Sequence, residues 1–192
     1  MSTTSTAVLL IAILVALIGV VWFGVSAFNA LRRLDVTAQE ALGGIDVQLT
    51  RRADLIPNLV TTVQGYAAHE RAVFDEVTAA RAGAAAAAGG GTVEQKAQAQ
   101  DRLDRAVLGV LAVAENYPDL KASTNFLQLQ DQLADTENQL AFARQYYNDA
   151  VATLNQRVVT IPWMFFVGVA GVTRRPFYQA PEGQQTPPQV RF

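Results

Sequence analysis

The sequence predicts an all-α protein: an N-terminal transmembrane helix, then an antiparallel up-and-down bundle of four helices with an apolar C-terminal segment. Three observations predict it. The first 31 of the 192 residues carry no charged side chain, while all 15 Lys+Arg and all 17 Asp+Glu lie beyond Leu31. From Ala30 to Ile161 apolar residues recur at spacings of three and four, with proline only at positions 57 and 118 and without β-branched alternation. The breaks in that pattern coincide with glycine or proline. The chain therefore divides into a membrane anchor (1–31), a helical bundle (32–161), and an apolar segment with an extended tail (162–192).

Residues 7–28 form an apolar run of about 22 residues, which as a helix extends roughly 33 Å, close to the thickness of a hydrocarbon core. Inside lipid every backbone polar group must be paired within the segment, so helix is the form expected. Trp22 and Phe23 sit towards one end, where aromatic rings favour the interface. A cleaved signal peptide is the competing reading, and Val25-Ser26-Ala27 offers small residues for cleavage. No Lys or Arg precedes the run, however, and it exceeds the usual signal length, which favours the anchor. Arg32 and Arg33 directly follow it, with Arg51 and Arg52 beyond. The positive-inside tendency then places residues 30–192 in the cytoplasm and the short N-terminus outside.

The bundle elements follow from periodicity and punctuation. Leu42, Ile45, Leu49, Ile56, Leu59, Val63, Tyr66, Val73 and Val77 make the first stripe, with Arg52 and Glu70 intruding on it. Pro57 suits either the first turn of a new helix or a kink within one; a turn makes four helices and a kink three. The alanine run before Gly89-Gly90-Gly91 favours helix, and the glycines end it, since they accept left-handed torsions. Thr92-Val93-Glu94-Gln95 is a capping-box pattern starting the next helix. Its stripe is Leu103, Val107, Val110, Leu111 and Ala114. Asn116-Tyr117-Pro118-Asp119 reads as a turn, because Pro118 lacks a backbone donor and restrains Tyr117. The last helix carries Phe126, Leu133, Leu140, Tyr147, Leu154 and Ile161 at a seven-residue repeat, with Leu129, Thr136, Ala143 and Ala150 between them. That seam is longer than its intramolecular partners, which predicts self-association.

Composition excludes several functions. The net charge of −2 supplies no basic field for nucleic acid. Without cysteine there is no disulfide, thiolate metal site or thiol nucleophile, and one histidine cannot build the usual zinc or non-haem iron sets. His69 beside Glu70 invites a metal or general-base reading, but Tyr66 occupies the position three residues earlier where a di-iron bundle needs glutamate. No catalytic residue, cofactor or small-molecule substrate is expected.

Three ordered groups of residues resemble the LemA family of bacterial membrane proteins. The first is Arg51-Arg52-Ala53-Asp54-Leu55-Ile56-Pro57-Asn58-Leu59-Val60, followed by Gly65-Tyr66-Ala67-Ala68-His69-Glu70 and Ala80-Arg81-Ala82. The second is Glu115-Asn116-Tyr117-Pro118-Asp119-Leu120-Lys121-Ala122-Ser123, continuing to Asn125-Phe126. The third is Thr136-Glu137-Asn138, then Ala143-Arg144 and Tyr147-Asn148. The resemblance covers most of residues 30–178. It implies an antiparallel helical bundle, which favours the four-helix reading at Pro57, and no established enzymatic activity. The Ala/Gly-rich segment 82–91 and the strongly apolar stretch after Pro162 depart from the pattern.

Polar residues on the seams are then candidate interaction residues. Arg52, Glu70 and Arg157 read either as a polar partner-binding groove or, preferably, as interhelix ion pairs that fix register, with Glu137 the partner for Arg52 because both belong to the family strings. Asn116, Tyr117 and Pro118 read as a helix-capping turn that tucks Tyr117 over the core, in preference to an exposed recognition loop. Trp163, Phe165 and Phe166 belong to the uncharged stretch 158–173, too short to span a membrane and broken by Pro162. It is expected to dip into the membrane or pack between subunits, in preference to covering the bundle's end. The expected function is a membrane-anchored scaffold or adaptor whose partners are the lipid bilayer, copies of itself or other membrane proteins. The alternatives are an accessory subunit of a larger membrane complex, or an enzyme or metal protein with an unrecognised site.

Overall fold

The computed structural model describes residues 3–179. Among them there is helix and no strand: α1 (Thr3–Gln64), α2 (Arg71–Ala88), α3 (Val93–Ala114), α4 (Pro118–Lys121), α5 (Thr124–Val159), a 3₁₀ turn (Trp163–Phe166) and α6 (Val167–Ala170). The part of the expected extended tail from residue 180 onward lies outside the described residues. The chain forms two compact units. Among the described residues, an anchor unit comprises 3–39 with Asp149–Arg175, and a bundle unit comprises Glu40–Asn148 with 176–179.

Pro57 lies inside α1, so the turn reading there is corrected: the helix continues to Gln64. Proline removes the N–H that would bond the carbonyl four residues earlier. That carbonyl belongs to Ala53, and the Arg81 Nε on α2 donates to it at 2.8 Å. The long-range donor takes the place of the missing local one. The helix ends seven residues after Pro57, and beyond it Tyr66 N and Ala67 N both bond the Val63 carbonyl at 3.0 and 2.9 Å, tightening the last turn. The break at 65–70 thus interrupts what reads in the sequence as one stripe from Leu42 to Val77.

The α2–α3 hairpin follows the expected signals with one difference. Thr92 Oγ1 accepts from the Gln95 N–H at 3.2 Å, and the Gln95 Oε1 accepts from the Thr92 N–H at 2.8 Å, completing the capping box. None of the three glycines before it is left-handed; Gly171 is the one described residue with positive φ. Close approach accounts for Gly91, where a Cβ would stand 2.8 Å from the Ala87 oxygen. Pro118 sits at the start of α4, as its fixed φ and absent donor favour.

The bundle unit's apolar core draws Ile56, Leu59 and Val63 from α1, Phe74 and Val77 from α2, Leu103, Val107 and Val110 from α3, Leu120 from α4, and Phe126 and Leu133 from α5. Burying such side chains stabilises the fold by about 1.5–3 kcal/mol each. Leu140 and Tyr147 continue the α5 seam as buried residues, and so does Leu154 in the anchor unit. Ile161 does not continue it: α5 stops at Val159, and Ile161 is exposed.

Candidate functional site

The buried face of α3 runs Val93, Lys96, Gln100, Leu103, Val107, Val110 and Ala114, alternating three and four along the helix. Two of these seam positions are polar. They mark a layer of the bundle unit where α1, α3 and α5 meet through charges in place of hydrocarbon.

Arg52 is its centre. This buried guanidinium extends from α1, and its Nη1 lies 2.6 Å from Asp104 Oδ1 on α3 and 2.6 Å from Glu137 Oε2 on α5. The other Glu137 oxygen stands 3.7 Å from Arg144 Nη2. Arg144 in turn holds its guanidinium carbon 5.5 Å above the Tyr178 ring, a cation–π arrangement. Further along α3, the Lys96 ammonium pairs with Asp46 and also donates to the Ala88 carbonyl at 3.3 Å, which ties the α2 C-terminus to the layer. Three cations thus face three carboxylates.

The surroundings shift two titrations. Burial pushes the Asp104 carboxyl above the ordinary carboxylate range; Arg52 pulls it down and Glu137 raises it further. Burial pushes the Tyr178 phenol up to about 12 against the lowering pull of Arg144. Both amide atoms of Gln100 are buried without a hydrogen-bond partner among the described residues. An extended segment supplies Tyr178. It is held by Asn148, whose Oδ1 accepts the Tyr178 N–H at 2.8 Å and whose Nδ2 donates to the Tyr178 carbonyl at 3.1 Å. Tyr147 Oη donates to the Pro176 carbonyl at 2.8 Å.

The structure brings Arg52 and Glu137 together and leaves Glu70 apart. Glu70 is exposed at the start of α2, off the seam, because the break at 65–70 resets the helical phase. His69 is exposed beside it. Among the described residues Arg157 does not enter an interhelix ion pair; within the anchor unit its guanidinium carbon covers the Trp163 ring at 4.7 Å. Tyr117 packs against the apolar core, and Asn116 is exposed with its Nδ2 3.5 Å from the Ala112 carbonyl. Trp163 and Phe166 both contact Phe23, with centroids at 6.2 and 5.9 Å, while Phe165 is exposed. Sequence reasoning missed Lys96, Gln100, Asp104, Arg144 and Arg81. The heptad spacing of Lys96 and Gln100 with the apolar residues after them was the available signal.

Each carboxylate in the layer is matched by a cation. Among the described residues no three His, Asp or Glu side chains converge as a metal would need. What the arrangement does physically is fix the relative register of α1, α3 and α5, since a slip of either neighbour strands a buried charge.

Among the described residues, helix without strand, a bundle with an internally neutralised charged layer, and one helix long and apolar enough to cross a membrane define a membrane-associated helical protein. The chain belongs to the LemA family, whose model matches residues 41–192. It is similar to the magnetosome protein MamQ of Magnetospirillum gryphiswaldense, with 24% identity over 183 residues covering 83% of this chain and 67% of that protein. Magnetosome proteins MamQ 1 and MamQ 2 of Paramagnetospirillum magneticum match to the same extent.

Proposed function

We propose that the chain is a membrane-anchored helical scaffold or adaptor without catalytic activity, whose bundle binds copies of itself or other membrane proteins. The observation that carries this reading is α1: one helix supplies both the exposed apolar run and a wall of the bundle core. An element so shared suits a protein that holds a folded surface at a bilayer. Arg32 and Arg33, just beyond the apolar run, support a cytoplasmic bundle. The interaction surface includes Phe142 and Tyr146, two exposed aromatic side chains one turn apart on α5. A second reading, an accessory subunit of a larger membrane assembly, draws support from the similarity to magnetosome proteins.

The full chain purified in mild detergent tests this. Native mass spectrometry is expected to give a defined homo-oligomer, and Phe142→Ser with Tyr146→Ser to lower its population at least fivefold with the helical signal kept. A monomeric mass across several detergents and lipid additions, without co-purifying membrane proteins, overturns the reading.

A further inference from the structure

Between Arg157 and Arg174 the chain carries no charge. Its three most exposed large side chains are Ile161, Phe165 and Val169, at 73%, 69% and 77%. A contiguous apolar patch of this kind is costly in water. Within the anchor unit its level is set by contacts to α1. Trp163 and Phe166 meet Phe23, and the Phe166 ring lies 3.4 Å from where a Cβ on Gly24 would stand. Those positions belong to the exposed apolar run. With a rise of about 1.5 Å per residue, Gly24 lies roughly 12 Å along α1 from Arg32, towards the centre of the run.

The segment also returns. Arg175 Nε donates to Asp35 Oδ1 at 2.8 Å. Asn155, on the descending side, holds both the N–H and the carbonyl of Arg175, each at 2.9 Å. Entry and exit are therefore tied together near Asp35, about 16 Å along α1 from the Phe166 contact. Between them the backbone folds into short turns that bond their own donors: Met164 N to Thr160 O at 2.9 Å, Phe165 N to Pro162 O at 3.3 Å, and Val172 N to Val167 O at 3.2 Å. Pro162 has no donor to satisfy. Such turns suit the boundary between headgroups and acyl chains, where remaining polar groups still reach water, better than the midplane.

We infer that residues 158–173 form a second membrane-embedded element, a re-entrant hairpin that packs Trp163 and Phe166 on α1 and presents Ile161, Phe165 and Val169 to lipid. It takes an anionic bilayer as its partner, with Arg157, Arg174 and Arg175 at the headgroup level. This rests on the reading of α1 as a membrane span.

The test reconstitutes the full chain in phosphatidylcholine/phosphatidylglycerol vesicles. Trp22→Phe leaves Trp163 as the one tryptophan. Lipids brominated at acyl positions 6 and 7 are expected to reduce its emission at least twofold, and bromines at 11 and 12 to reduce it less. In a chain with Trp22→Phe, Trp163→Phe and Phe165→Trp, the new indole faces lipid and is expected to be quenched more strongly. Emission from both chains unchanged by bromine overturns the inference, including the case where a second copy covers the patch. Failure to float with the vesicles overturns the anchor reading as well, whereas flotation with unquenched tryptophan overturns the hairpin alone.

Discussion

The bundle unit is built from the same helices in two chemistries. Around Leu59, Phe74, Val110 and Phe126 they meet through hydrocarbon. Around Arg52, Lys96, Asp104 and Glu137 they meet through ion pairs. The apolar region gains from burial alone and tolerates many combinations of similar volume. The charged layer gains little net energy from its pairs, because desolvation offsets the Coulomb attraction, but it penalises any arrangement in which a partner is missing. The first region accounts for stability. The second accounts for one particular register.

Removing the central cation breaks this contrast most severely. Arg52→Leu leaves Asp104 and Glu137 facing each other and is expected to cost about 3 kcal/mol in thermal melts followed by circular dichroism. Arg52→Met with Asp104→Leu, which leaves Glu137 to Arg144, is expected to recover most of that loss. If the double variant melts as low as the single one, the layer supplies stability and not register.

Alkaline titration sharpens the comparison next. With a folded pKa of about 12 against an ordinary 10.0, the Tyr178 phenol keeps its proton in the bundle where the unfolded chain has lost it. Its contribution is complete below pH 10 and is lost as pH rises to about 12, by roughly 2–3 kcal/mol in all. Tyr178→Phe is expected to flatten the fall in stability over that window. Parallel curves for the two chains would place the phenol in water.

The smallest effect is expected at the proline. Arg81→Leu leaves the Ala53 carbonyl without its donor and is expected to cost about 1–2 kcal/mol. Pro57→Ala in the same chain restores a local N–H and is expected to return most of it. No recovery would mean that Arg81 acts through packing.

These sites also show what the sequence made legible. The apolar run, the capping box and the α5 seam as far as Leu154 are local or periodic patterns, readable from spacing, whereas the Arg52–Glu137 pair follows from the resemblance to the family strings. The sequence leaves a turn and a continuous helix at Pro57 both open, because the donor that decides for continuity comes from 28 residues away. The turn at 65–70 was obscured for the converse reason: no proline marks it, and the residues around it keep helical spacing. In α3 the apolar stripe starts at Leu103, while Lys96 and Gln100 hold the same phase with polar side chains that hydropathy alone does not mark.

Two of the asparagines of α5 treat the extended C-terminal segment in a way usually reserved for sheets. Each side-chain amide offers one acceptor and one donor to a single residue's N–H and carbonyl, Asn155 to Arg175 and Asn148 to Tyr178. That is the pairing a neighbouring strand would give, supplied here from a helix. The grip reads peptide groups and not side chains. Among substitutions at positions 175 and 178, proline alone withdraws the donor from this grip, while the Arg175–Asp35 pair and the Arg144–Tyr178 stack depend on the side chains as well.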